Sequence, residues 1–171
     1  MLAPLKPEPM AGDPAASRKS LPTEFTNNGS ALRLPGPGQL VAYPLLDLRR
    51  LKIGVRELVT SIEQTIVATL AHYAIESTAK PDAPGVYVKG DKIASLGLRV
   101  RRGCSFHGLA LNVAMDLAPF KRINPCGYQG LAMTQMKDLL PNPPSLEDVQ
   151  TQLVAQFARK LGYETCTMRA I

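Results

Sequence analysis

The sequence predicts a single α+β domain of modest size, preceded by a Pro-rich stretch of different character. Three observations carry this. Residues 54–74 and 145–161 show apolar positions recurring at three and four residues, the spacing of helices with one buried face. Between them lie three strand-length apolar runs, punctuated by Gly-containing turns. The strands and helices follow no regular alternation, which excludes a repeated β-α-β winding.

Taken in order, residues 1–35 come first. Eight of the 15 prolines fall within the first 44 residues, and no helical or strand period runs from Met1 to Leu34. This segment is expected to be poorly ordered, with residues 36–171 forming the folded domain. Gln39 to Leu46 reads as a short strand in which Pro44 favours an edge or a bulge. Gly54 to Ala74 reads as an amphipathic helix with the stripe Val55, Leu58, Val59, Ile62, Ile66, Leu70 and Tyr73. Gly85 to Lys89 is a strand, Gly90-Asp91 a two-residue hairpin turn, and Lys92 to Val100 the return strand. Gly103 marks a second turn before a third antiparallel strand, Ser105 to Val113. Asn124-Pro125-Cys126-Gly127 is a tight loop by residue type. Ser145 caps a final helix that carries an acidic residue at its third position, with Val149, Leu153, Phe157 and Leu161 inward and Gly162 at its end.

Composition narrows the function. Apolar residues make up 45% of the 171 and charged residues 20%, the balance of a globular chain. No uncharged apolar run reaches the roughly 18 residues of a membrane span, and the first residues lack an apolar signal core. A cytoplasmic location and no membrane partner are therefore expected. The three cysteines, Cys104, Cys126 and Cys166, form no C-x-x-C pair, so neither a disulfide framework nor a metal site is expected. Cys104 and His107 have C-x-x-H spacing but lack a second ligand pair. The net charge of +6 fits an acidic partner, but 5% aromatics and no Trp lack the stacking residues of single-strand binders. No nucleic-acid partner is expected.

Chemistry has three candidates. Cys126 sits between Pro125 and Gly127, where small neighbours give access to a substrate; a buried structural cysteine is the bland alternative. Lys92 heads a strand face shared with Ala94, Leu96, Leu98 and Val100, an unusual place for a lysine unless its amine reaches solvent. His107, on a face with Leu109, Leu111 and Val113, is a rival base, and such a histidine is more often structural. His72, late in the first helix, reads as structural. Gly97 and Gly108 lie inside strands with Ala94, Ser95 and Ala110 nearby, which suits either a slot for a narrow substrate or close backbone packing.

The run Gly85-Val86-Tyr87-Val88-Lys89-Gly90-Asp91-Lys92-Ile93-Ala94-Ser95-Leu96-Gly97-Leu98-Arg99-Val100 strongly resembles the lipoyl(octanoyl) transferase family. So do Cys104 to Val113, Ile123-Asn124-Pro125-Cys126-Gly127-Tyr128, and Gly36-Pro37-Gly38-Gln39-Leu40-Val41-Ala42-Tyr43-Pro44. The resemblance implies a fold like that of biotin and lipoate protein ligases, with a mixed β-sheet and flanking helices. It implies transfer of an octanoyl group from acyl carrier protein to a lysine of lipoyl domains, in 2-oxoacid dehydrogenases and the H protein of glycine cleavage. The acyl group passes through a cysteine thioester, and no metal or other cofactor is used. By motif, Cys126 is the cysteine and Lys92 the lysine that lowers its pKa. Ser95, Leu96, Gly97, Gly108, Leu109 and Ala110 match segments that contact the acyl substrate.

One departure stands out. The family carries R-G-G-x-x-T-Y-H directly before G-P-G-Q, where this chain has Asn28 to Pro35. Leu34-Pro35 replaces the Tyr-His pair, so weak activity is expected of this chain. The alternative is a truncated, non-catalytic relic that binds a lipoyl domain or carrier protein without turnover. An ATP-dependent ligase of the same fold needs no nucleophilic cysteine, so Cys126 argues against it.

Overall fold

The computed structural model describes residues 20–23, 37–118 and 132–168. Seven strands are β1 (Ser20–Thr23), β2 (Gln39–Ala42), β3 (Thr78–Lys80), β4 (Ala83–Val88), β5 (Asp91–Arg101), β6 (Cys104–Asn112) and β7 (Thr165–Met168). Four helices are α1 (Leu48–Leu51), α2 (Val55–His72), α3 (Met136–Leu139) and α4 (Leu146–Lys160). Five strands form an antiparallel sheet in the order β2-β6-β5-β4-β3, and β1 pairs parallel with β7 in a second sheet. The α+β class and the three consecutive antiparallel strands agree with the sequence reading. Strand β1 lies inside the segment expected to hold little packed structure.

Local chemistry explains the boundaries. The hairpin turn between β4 and β5 sits one residue earlier than predicted. Lys89 and Gly90 carry the positive φ values, 51° and 99°, while Asp91 pairs with Val88 in the ladder. A two-residue turn of this hand needs φ above zero at both central positions, and it matches the strand twist. Arg102 and Gly103 repeat the device between β5 and β6, with φ of 54° and 84°.

Strand β2 ends at Ala42, short of the predicted Leu46. Pro44 has no N–H to donate, and Ser105 takes over the bonding there. The Ser105 hydroxyl donates to the Pro44 carbonyl at 2.5 Å and accepts from the Leu46 N–H at 3.0 Å.

Helix α2 supplies the centre of the core. Leu58, Ile62, Ile66 and Leu70 recur every four residues and are all fully buried. They meet Val149, Leu153 and Phe157 of α4, and Leu40, Val86, Ala94, Leu109 and Leu111 of the sheet. Each such aliphatic side chain contributes about 1.5–3 kcal/mol. Val55, predicted for the same stripe, is 47% exposed at the first position of the helix. Helix α4 begins as predicted: the Ser145 hydroxyl accepts from the Asp148 N–H at 3.1 Å and donates to the Asp148 carboxylate at 2.6 Å. Gly162 follows its end with φ of 75°. No described helix is long and apolar enough to cross a membrane.

Candidate active site

Lys92 is the buried charge of the described residues, with only 4% of its surface exposed. Simple alternation from Ala94 puts it on the core face, and a register shift overturns that placement. Val86 pairs with Ala94, but Tyr87 pairs with Lys92, so Ile93 is an extra residue in β5. A bulge of this kind re-aims the side chains beyond it. Ile93 turns into the core cluster, and Lys92 turns to the face opposite α2 and α4.

Gly85 makes room for it. A Cβ on Gly85 would stand 2.5 Å from Lys92 Cε and 3.2 Å from Lys92 Nζ, so the aliphatic stem lies across the glycine. The Gly85 N–H donates to the Glu63 carboxylate of α2 at 3.1 Å. The Lys92 ammonium is 5.6 Å from the centroid of the Tyr87 ring, within reach of its negative face. Tyr87 is itself fixed, its hydroxyl donating to the Ala83 carbonyl at 3.0 Å.

The predicted acyl-contact segments are cross-strand neighbours. Ser95 pairs with Ala110, Leu96 with Leu109, and Gly97 with Gly108. By alternation, Ser95, Gly97, Gly108 and Ala110 share the face to which the bulge turns Lys92, while Leu109 is buried in the core and Leu96 packs against it. A row of small residues therefore continues from the lysine across two strands. Gly108 has a packing reason too. A Cβ there would stand 2.1 Å from the Ala42 carbonyl oxygen and 2.4 Å from the Pro44 ring.

Cys126 lies outside the described residues. The described segments on either side of it, before residue 119 and after residue 131, are both tied to the sheet. Before it, Val113 and Ala114 donate to the Gly38 carbonyl at 3.1 and 2.8 Å. Gly38 cannot be replaced there, since a Cβ would stand 2.0 Å from the Ala114 oxygen. After it, the Lys92 N–H donates to Ala132 at 2.9 Å, and Thr134 N–H donates to the Lys92 carbonyl at 3.0 Å. Buried Asn112 locks this arrangement: its amide donates to the Thr134 carbonyl at 3.0 Å and accepts from the Gln39 amide at 2.9 Å.

The other candidates stand apart from Lys92. His107 is exposed, has φ of 62°, and meets Tyr43 edge-on at 6.3 Å. Cys104 is half-buried in the ladder beside Asp47, and Cys166 lies in β7. His72 is exposed in the last turn of α2, against Tyr73. Among the described residues, no three His, Cys, Asp or Glu side chains gather as a metal site. Sequence reasoning missed Gly85, Tyr87 and Asn112. The signal for Gly85 was available, because a glycine within a strand run marks a bulge or a close approach.

A model of the lipoyl protein ligase A/B catalytic domain matches residues 34–158. The chain belongs to this family. Within it the relatives are octanoyltransferases. The octanoyltransferase of Cellvibrio japonicus is 78% identical over 150 residues, spanning 88% of this chain and 70% of that protein. That of Ectopseudomonas mendocina is 62% identical over 84% of this chain and 70% of its own length. That of Yersinia pseudotuberculosis is 58% identical over 87% of this chain and 64% of its own length. The enzyme class is thus acyl transfer, and the family activity is octanoyl transfer in protein lipoylation. Such matches do not favour a non-catalytic relic. Solved structures show the same fold. The biotin protein ligase of Aquifex aeolicus superposes with a TM-score of 0.60 at 15% identity, over 72% of this chain and 52% of that one. The putative lipoate protein ligase Ta0514 of T. acidophilum, with bound lipoic acid, gives 0.61 at 14% identity, over 78% and 56%.

Proposed function

We propose that this chain transfers an octanoyl group from acyl carrier protein to a lysine of lipoyl domains through a thioester on Cys126. Lys92 activates the cysteine; of the six predicted contact residues, Ser95, Gly97, Gly108 and Ala110 face the acyl chain, while Leu96 and Leu109 offer only backbone there because their side chains pack on the core side. The acceptors are lipoyl domains of 2-oxoacid dehydrogenases and the glycine cleavage H protein. The observation that supports this most is the burial of Lys92 beside a row of small residues, with its backbone bonded to the segment that follows the Cys126 loop.

The chemistry runs in two exchanges. The Cys126 thiolate attacks the carbonyl of the carrier's octanoyl thioester, a new C–S bond forms, and the carrier thiol leaves with a proton. The neutral amine of the lipoyl-domain lysine then attacks the Cys126 thioester. An amide forms, the amine loses a proton, and the Cys126 thiolate is restored. A free thiol has a pKa of about 8.5, so a neighbouring ammonium raises the thiolate fraction near neutral pH. Lys92 supplies that charge and relays the protons, a role whose loss typically costs ~10² to 10⁴ in rate.

The test is the pH profile of Cys126 alkylation by iodoacetamide. Lys92→Met is expected to move the midpoint to higher pH and to slow acyl transfer. An unchanged profile rules Lys92 out as the activator.

A further inference from the structure

We infer that Tyr87 and Gly85 are the positioning residues of Lys92: the ring holds its ammonium and the glycine beds its stem. Three independent features converge on this. The Ile93 bulge turns Lys92 out of the core face and opposite Tyr87. The Gly85 position, with φ of 141°, would hold a Cβ 2.5 Å from Lys92 Cε and 2.6 Å from the Ala94 carbonyl oxygen, so any other residue there crowds both the stem and the neighbouring strand. The Tyr87 ring, 2% exposed, stands 5.6 Å from Lys92 Nζ and is anchored through its hydroxyl to Ala83. A second cation, Lys80 of β3, lies 4.2 Å from the same ring centroid. The ring thus stands within cation–ring distance of two ammonium groups, one exposed and one buried.

A lysine side chain is flexible, with three rotatable donors on a four-carbon stem. For the catalytic use proposed above, its amine must stay at one point. A fixed aromatic face restricts it without adding a counter-charge of its own. The tyrosine hydroxyl, donating to the Ala83 carbonyl, sets the ring's orientation.

The inference rests on the proposed role of Lys92, and the test separates the two. Four variants are compared by the pH profile of Cys126 alkylation and by octanoyl transfer: Tyr87→Phe, Tyr87→Leu, Lys92→Met and the double Tyr87→Leu/Lys92→Met. Tyr87→Phe is expected to follow the wild type, because the ring stays. Tyr87→Leu is expected to lower kcat about tenfold, the size of one desolvated cation–ring contact, with KM for the carrier unchanged. Its alkylation midpoint moves toward that of Lys92→Met. Adding Tyr87→Leu to Lys92→Met is expected to change nothing more. A pentafluorophenylalanine at position 87 keeps the shape but depletes the ring face, and is expected to act like Tyr87→Leu even if that variant folds poorly. Should Lys92→Met shift the profile while the fluorinated ring does not, the inference is overturned and the role of Lys92 stands. Equal losses from Tyr87→Leu in both backgrounds also overturn it, since they mark a merely structural residue. A Lys92→Met profile identical to wild type removes the role of Lys92 and the inference together.

Discussion

The amide of Asn112 donates to the carbonyl of Thr134 at 3.0 Å, deep inside the protein. Through this bond the third strand of the hairpin series holds Thr134, the same residue whose N–H donates to the Lys92 carbonyl. Asn112 is 1% exposed and also accepts from Gln39. Replacing Asn112 with Leu leaves the Gln39 amide and the Thr134 carbonyl without this partner. Buried groups orphaned in this way cost roughly 1–3 kcal/mol. Asn112→Leu is therefore expected to lower the melting temperature by several degrees and to reduce octanoyl transfer further than the stability loss explains. Thermal melts and single-turnover acylation, measured below the transition, check both parts.

Ile62 stands at the centre of the helical stripe and is fully buried. Its truncation removes contacts to the sheet and leaves a cavity. Ile62→Ala is expected to cost about 2–5 kcal/mol, read as a shift of the denaturant midpoint at constant slope. Val55→Ala, on the same helix but 47% exposed, is expected to change stability by less than ~0.5 kcal/mol.

Basic residues from two parts of the chain meet beside the β5–β6 turn. The Arg49 guanidinium donates to the Arg102 carbonyl, and Arg50, Arg99 and Arg101 are exposed close by in sequence. Acidic carrier and lipoyl domains would find complementary charge here. Exposed charges interact over about 10 Å at 0.1 M salt. Association with the carrier is expected to slow as salt rises, and Arg99→Glu with Arg101→Glu is expected to raise KM while leaving kcat nearly unchanged. An association rate flat from low to high salt contradicts this.

Asn28 to Pro35 stand where the family carries R-G-G-x-x-T-Y-H. Leu34 has no polar tip, and Pro35 has no N–H to donate. Replacing these eight residues with a family segment is expected to raise turnover at least tenfold. Steady-state transfer by the two forms, at equal folded fraction, decides it.

Much of this was legible in the sequence, and the failures have physical causes. The α2 stripe was readable because Leu58, Ile62, Ile66 and Leu70 obey a helical period that burial enforces. The cross-strand meeting of Ser95-Leu96-Gly97 with Gly108-Leu109-Ala110 follows from one two-residue turn, Arg102-Gly103, that leaves the register little freedom. The face of Lys92 was not readable. Strict alternation assigns it to the core, and one extra residue, Ile93, reverses that. A bulge depends on how two strands twist past each other, which a single strand's pattern does not record. The hairpin turn was misplaced by one position because Gly90 suits either of two pairs, Lys89-Gly90 or Gly90-Asp91. The choice falls to the ladder pair Val88 and Asp91. Cys126 was singled out by its Pro125 and Gly127 neighbours and by its motif, and it lies outside the described residues.

Whether Cys126 carries the octanoyl group is read by intact-protein mass spectrometry after exposure to octanoyl-carrier protein. One hydroxylamine-labile octanoyl adduct is expected on the wild type, on Cys104→Ala and on Cys166→Ala, and none on Cys126→Ala. A labile adduct retained by Cys126→Ala would contradict that role.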